Sequence, residues 1–232
     1  MFEGFFSIKL LDDGRVAFMT QLDGSRALYY SEPLTATTTL IVKEGDPVSD
    51  VPGASILFIQ PEISRSGLFA DLATMEGPGI DLEINQVVLQ GDEFGSRVLA
   101  REGCELRAGF INGSLFEIIN DRGQLAFITR SADDTEPQLH ATSENGQLIL
   151  VTRAGAQVTV AGTSRSIFNI PQLGFSNRGR FDTFTSDGTL TFLANLDSND
   201  VLGVFSAKIP DVVFKDGFEA GFSGPNCSQS SP

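Results

Sequence analysis

The chain has 232 residues, with 30 acidic side chains against 16 basic, a formal charge of −14 and a pI near 4.4. That balance excludes nucleic acid as the main partner, because phosphate binding needs clustered Lys and Arg. One His and two Cys exclude a His-rich or Cys-rich metal centre, and no run of about 18 apolar residues exists to cross a membrane as a helix.

The chain opens without a basic segment or a continuous apolar core, so no secretory signal is expected within the first residues of this sequence. Residues 5–11 read as a strand that runs directly into the turn Asp12-Asp13-Gly14. A strand with no lead-in predicts a fragment or a truncated start. After that turn the first repeat unfolds in order. Arg15-Val16-Ala17-Phe18-Met19-Thr20-Gln21-Leu22 is a first strand and Arg26-Ala27-Leu28-Tyr29-Tyr30 a second. Leu40-Ile41-Val42 is a third, followed by Lys43-Glu44-Gly45-Asp46, and Ile56-Leu57-Phe58-Ile59 is a fourth that closes the unit. Alternating apolar residues bounded by Gly, Asp, Asn and Ser turns are what antiparallel hairpins require.

The same order returns downstream. The turn glycine recurs at Gly67, Gly123 and Gly188, giving spacings of 53, 56 and 65 residues. Second strands recur at 83–89, 138–140 and 201–207, third strands at 98–104 and 148–155, and fourth strands at 115–119 and 167–170. Phe18, Phe69, Phe127 and Phe192 are expected at equivalent core positions. A unit of about 55 residues and four short strands has the size and content of a propeller blade, which cannot bury both faces of its sheet alone. The expected fold is therefore all-β, a propeller-like array of about four four-stranded antiparallel blades over residues 1–210. The repeats fall at about 12–62, 65–119, 121–173 and 186–209, with 1–11 as a strand of an end blade. Pairing of that strand with the last blade would close a four-bladed ring, and a fragment of a larger propeller accounts for the same pattern. A β-sandwich is the alternative fold. Residues 211–232 read as a flexible, small and polar tail.

Two strings carry a family resemblance. Asn120-Asp121-Arg122-Gly123-Gln124-Leu125-Ala126-Phe127, with degenerate copies at Gly14, Gly67 and Gly188, resembles the bacterial tandem-repeat proteins built on an NxxGxxxAF-type motif, a choice-of-anchor class. Lys43-Glu44-Gly45-Asp46-Pro47-Val48 is similar to the segment that follows in those repeats. In the other copies the Asn position holds Leu11, Ser64 or Thr185. Val213-Phe214-Lys215-Asp216-Gly217-Phe218-Glu219 is similar to an FxDGFE-type string near the C-termini of exported Gram-negative proteins. These resemblances imply an extracellular or cell-surface protein of a Gram-negative bacterium, and they carry no catalytic residues over.

The chemistry-bearing residues are few. His140 is the sole His and is expected at a strand edge, facing solvent or a neighbouring blade. Cys104 and Cys227 could pair if the chain is exported, but two free thiols or an unpaired Cys227 are the expected state. Asp12-Asp13, Asp133-Asp134-Thr135-Glu136 and Asp197-Ser198-Asn199-Asp200 could offer oxygen ligands to Ca²⁺, but none has the spacing of an EF-hand or a Ca²⁺-binding nonapeptide. No GxSxG elbow, P-loop or dinucleotide fingerprint is present. The reading that follows assigns no catalytic, cofactor-binding or metal-binding residue and no cofactor. It expects a monomeric, non-catalytic repeat module that binds a protein or glycan through the loops at 33–37, 47–54, 91–95 and 174–186. The alternative is a carbohydrate-active hydrolase or lyase using carboxylates in a central channel.

Overall fold

A computed structural model describes residues 2–49, 51–81, 85–102, 108–110, 117–131, 137–144, 146–171, 183–198 and 201–210. Among them there are 18 strands and no helix. The fold is an all-β, propeller-like array of four antiparallel sheets, not the two sheets of a sandwich. Sheet 1 takes β1 (Phe2–Leu10), β2 (Val16–Leu22), β3 (Ser25–Glu32) and β4 (Thr37–Lys43) in that order. In sheet 2 the order is β5 (Ser55–Phe58), β7 (Phe69–Glu76), β8 (Gln86–Asp92) and β9 (Gly95–Arg101), with the short β6 (Glu62–Ile63) also on β7. Sheet 3 runs β10 (Ala108–Phe110), β12 (Leu125–Ser131), β13 (Pro137–Thr142) and β14 (Leu148–Arg153), with β11 (Glu117–Ile119) also on β12. Sheet 4 comprises β15 (Gln157–Val160), β16 (Thr163–Asn169), β17 (Thr189–Leu196) and β18 (Val201–Lys208). Sheets 1 and 2 belong to one compact unit and sheets 3 and 4 to a second.

The repeat glycine works through a five-residue turn. In each copy the first residue donates its N–H to the carbonyl of the fifth, and the Gly N–H returns to the first carbonyl. The distances are 2.9 and 3.1 Å at Leu11–Arg15, 2.7 and 3.4 Å at Ser64–Leu68, 3.0 and 3.0 Å at Asn120–Gln124, and 3.0 and 2.9 Å at Thr185–Thr189. Gly14, Gly67, Gly123 and Gly188 all take φ between 79° and 88°, a region that side chains resist. Asn120 Oδ1 accepts the N–H groups of Arg122 and Gln124. Ser64 Oγ and Thr185 Oγ1 accept from Leu68 and Thr189 in the same way, at 2.9 and 3.2 Å. The degenerate copies thus keep the acceptor while changing the residue. At Leu11, which has none, Asp13 Oδ1 accepts the Arg15 N–H instead, at 3.0 Å.

The blades are out of phase with the sequence repeat by one strand. The fourth strand of each repeat does not close its own unit. β5 and β6 pair with β7, β11 pairs with β12, and β16 pairs with β17, so each opens the following sheet. The N-terminal strand follows the same rule: β1 pairs with β2 from Leu10↔Val16 back to Phe2↔Leu22. It therefore belongs to sheet 1, an end blade, rather than to the last one.

The sheets pack within each unit by a constant rule. Ala17 of β2, the third residue after Gly14, and its strand neighbours Leu28 and Tyr30 share a core with Phe69, Ala73 and Leu89 of sheet 2. Phe69 and Ala73 are the second and sixth residues after Gly67. In the other unit Ala126 and Ile128, third and fifth after Gly123, share a core with Leu190, Phe192 and Ala194, second, fourth and sixth after Gly188. One face of each earlier sheet thus meets the opposite-parity face of the next. The turns are stitched as well. The Asp12 N–H donates to Arg65 O at 2.9 Å, Tyr30 Oη to Gly67 O at 2.6 Å, and Asn120 Nδ2 to Thr185 O at 3.0 Å.

Candidate functional site

Aligning the repeats on their turn glycines places Phe18, Phe127 and Phe192 at one position, four residues on. In the second repeat that position is Asp71, and Phe69 lies two residues earlier. The expected equivalence of Phe69 is corrected accordingly. Each of the three Phe stacks on its cross-strand partner: Phe18 on Tyr29 at 5.5 Å, Phe127 on His140 at 5.6 Å, Phe192 on Phe205 at 5.7 Å. Asp71 faces Leu89 instead. It is the one break in an aromatic ladder, and the signal was present in the sequence as an Asp flanked by Ala70 and Leu72.

Asp71 is 3% exposed and projects from β7 into the core shared with sheet 1. The Gln60 N–H donates to both of its oxygens, at 3.2 and 3.1 Å. Burial pushes its carboxyl up to about 8, against the lowering effects of the Gln60 bond and the Arg26 charge; Glu44 and Glu62 raise it further. Arg26, at the start of β3, lays its guanidinium over the Phe58 ring at 4.2 Å and reaches Ile59 O at 3.5 Å. Glu44 turns its Oε2 back to the Arg26 N–H at 2.8 Å. Asp71 is thus a buried carboxyl whose neutral form burial favours, with the charges of Arg26, Glu44 and Glu62 acting on it. A carboxylic acid kept neutral at pH 7 can donate a hydrogen bond or act as a general acid, provided a substrate reaches it.

The role of Glu44 recurs. Glu102 Oε2 accepts the Gln86 N–H at 3.2 Å at the matching place in sheet 2. In sheet 3 the matching residue is Ala154, whose N–H donates to Pro137 O at 3.0 Å. Proline has no N–H to satisfy, so the carboxylate is dispensable there.

Next to Glu44, residues 45–55 enclose an open hollow of about 440 Å³. Gly45, Pro47, Val51, Pro52, Gly53 and Ser55 line it, so its wall is apolar and backbone. The hollow coincides with the expected binding loop at 47–54. Of the other expected loops, 33–37 forms the tight β3–β4 connection and 91–95 the β8–β9 hairpin with Phe94 exposed. Residues 174–182 of the fourth lie outside the described residues.

His140 is not at a solvent-facing edge. It sits on β13 between β12 and β14, 3% exposed, with neither ring nitrogen hydrogen-bonded, and burial pushes it down to about 4. Its ring serves as the aromatic partner that Tyr29 and Phe205 supply elsewhere. The Asp12-Asp13 pair is engaged with Arg65 and Arg15. Asp197 accepts the Ser166 N–H and pairs with Arg165, and these bonds hold its carboxyl below the usual range. Among the described residues no group of three or more His, Cys, Asp or Glu is placed to hold a metal. Asp133, Asp134, Glu136, Asn199, Asp200, Cys104 and Cys227 lie outside the described residues.

A family of unknown function, DUF7453, matches residues 1–210. The chain belongs to that family. The match ends at Pro210, two residues past β18, so it takes in all four sheets. No curated protein matches the chain. Among the described residues no helix is long and apolar enough to cross a membrane.

Proposed function

We propose that this protein is a non-catalytic, exported repeat module whose four sheets act as propeller blades and whose loops present a binding surface for a protein or glycan at the cell surface. One observation carries the reading: the polar side chains at the repeat positions spend their acceptors on backbone N–H groups. Asn120, Ser64, Thr185, Asp13, Glu44 and Glu102 all do so. Asp71, the one carboxyl at a position that departs from the repeat, is sealed from solvent. The hollow at residues 45–55 offers an apolar, backbone-lined wall suited to the flat face of a sugar ring or a peptide turn.

The reading is tested by applying the full chain to a glycan array and to the same polysaccharides in solution. Reducing-end release and the absorbance of unsaturated products are followed in parallel. Binding without either product, weakened by Pro52→Asp at the exposed rim of the hollow, supports a binding module. Turnover abolished by Asp71→Asn overturns it in favour of a carbohydrate-active enzyme. Fractionation of the source cells checks export independently, and retention of the mature chain in the cytoplasm refutes that part.

A further inference from the structure

The turn after β4 has a twin elsewhere in the chain. The Gly45 N–H donates to Ile56 O at 2.8 Å, the Ile56 N–H to Asp46 O at 2.9 Å, and the Asp46 N–H to Lys43 O at 3.2 Å. After β14 the Gly155 N–H donates to Ile167 O at 2.8 Å, the Ile167 N–H to Ala156 O at 2.8 Å, and the Ala156 N–H to Arg153 O at 3.2 Å. Gly45 and Gly155 take φ of 89° and 79°. The two turns share one backbone, yet the first carries Asp46-Pro47 where the second carries Ala156-Gln157. Folding of the turn therefore requires neither the carboxyl nor the proline. The corresponding residues of the second repeat, 103–107, lie outside the described residues. Asp46-Pro47 is the single Asp-Pro pair in the sequence. The carbonyl oxygen of Asp46 faces the backbone donor of Ile56, a residue only 2% exposed, and negative charge collects on that oxygen when a carbonyl is attacked. Asp46 Oδ2 accepts the Lys43 N–H at 2.9 Å, which holds the carboxyl beside its own backbone. Pro47 is exposed and lines the hollow, so water reaches the bond. Proline has no N–H. Attack of the following nitrogen on the Asp side chain is thereby closed, and attack of the carboxyl on its own carbonyl is left.

We propose that this chain cleaves its own backbone between Asp46 and Pro47. An oxygen of the protonated Asp46 carboxyl bonds to the Asp46 carbonyl carbon and closes a five-membered cyclic anhydride. The C–N bond to Pro47 breaks, its electron pair stays on nitrogen, and the carboxyl proton ends there, so Pro47 leaves as a secondary amine. One water then opens the anhydride, restoring the Asp46 side chain beside a new C-terminal carboxyl group. The Ile56 N–H stabilises the developing oxyanion, and the fixed turn keeps carboxyl and carbonyl together, which is the advantage of an intramolecular reaction. The two pieces, 1–46 and 47–232, stay joined by the core that Ala17, Leu28 and Tyr30 share with Phe69, Ala73 and Leu89. The new amine of Pro47 lies in the wall of the hollow. The step does not depend on whether the module binds a glycan or cleaves one.

The full chain is incubated at about pH 5, just above the ordinary carboxylate range. Intact-mass spectrometry identifies the fragments, and circular dichroism checks that the chain is folded. The expected products are one fragment ending in Asp46 and one beginning with Pro47. They form at a rate independent of protein concentration and about tenfold or more faster than in the same chain unfolded by urea. Asp46→Ala and Pro47→Gln copy the second turn and fold as wild type. The first gives no cleavage, and the second slows it about tenfold or more. Should either variant fail to fold, the comparison of folded with unfolded wild type decides alone. A folded chain that stays intact, or is cut no faster than the unfolded one, overturns the proposal. So does cutting that persists in folded Asp46→Ala or slows on dilution.

Discussion

Replacing Asp71 by Asn keeps the size of the side chain and an oxygen for the Gln60 N–H, but removes the ionisable proton. The native carboxyl is held at about 8 by burial, whereas the unfolded chain releases it at the ordinary 3.8. Between those values the native state binds a proton that the unfolded state has lost. The contribution of Asp71 is thus fully present below pH 3.8 and is lost as pH rises through 8. Each pH unit in that window removes about 1.4 kcal/mol, so the loss between pH 4 and pH 7 is about 4 kcal/mol. Urea melts of wild type and Asp71→Asn at several pH values from 5 to 8 isolate the effect, because every other titrating group is common to both chains. The advantage of the variant over wild type should grow by about 4 kcal/mol between pH 5 and pH 8. A difference that stays constant to about 0.5 kcal/mol across the range would refute the raised carboxyl of Asp71.

His140 acts in the opposite direction: its native value near 4 lies below the unfolded 6.5, so stability is lost as pH falls between them, by about 3 kcal/mol in all. His140→Phe, which restores the Phe-on-aromatic pair found at Phe205, should abolish that acid-side loss in pH-dependent urea melts. Phe127→Ala removes a fully buried ring and should cost about 3–5 kcal/mol by urea melt; a cost below about 1 kcal/mol would mean that the repeat register is misread. Asn120→Ala strips the turn of its acceptor and of the donor to Thr185 O, and should lower stability by about 1–2 kcal/mol. Asn120→Ser, which copies Ser64, should recover part of it in the same thermal or urea melts. Ala154→Glu places a carboxylate opposite Pro137, which has no N–H to offer, and should destabilise by about 2 kcal/mol, whereas Glu102→Ala loses a bond and about 1 kcal/mol.

The turn chemistry was legible in the sequence because it is local. Five consecutive residues carry the whole hydrogen-bond pattern of the Gly14, Gly67, Gly123 and Gly188 turns, and the glycine is required by a backbone angle that its own neighbours impose. Strand content, the all-β class and the existence of four blades follow from the same short-range alternation. The Pro, Gly and Ser composition of residues 47–54 coincides with the lining of the hollow. Asp71 was within reach too, but only once the glycines, rather than the nearest Phe, were used to align the second repeat.

Tertiary structure decided what depends on residues far apart in the chain. A strand such as Ile56–Phe58 has one alternation whether it ends its own sheet or opens the next, and only its pairing with Met75 and Thr74 of β7 tells the two apart. His140 reads as a polar residue at the end of a short strand until β12 and β14 flank it and Phe127 covers its ring. The raised value of Asp71 likewise comes from the core of another sheet, since desolvation is set by everything packed around a group and not by its sequence neighbours. By itself the sequence determined the turns, the strands and their repetition. Which sheet each strand joins, and which side chains lose their water, is settled by long-range packing, whose partners no local pattern names.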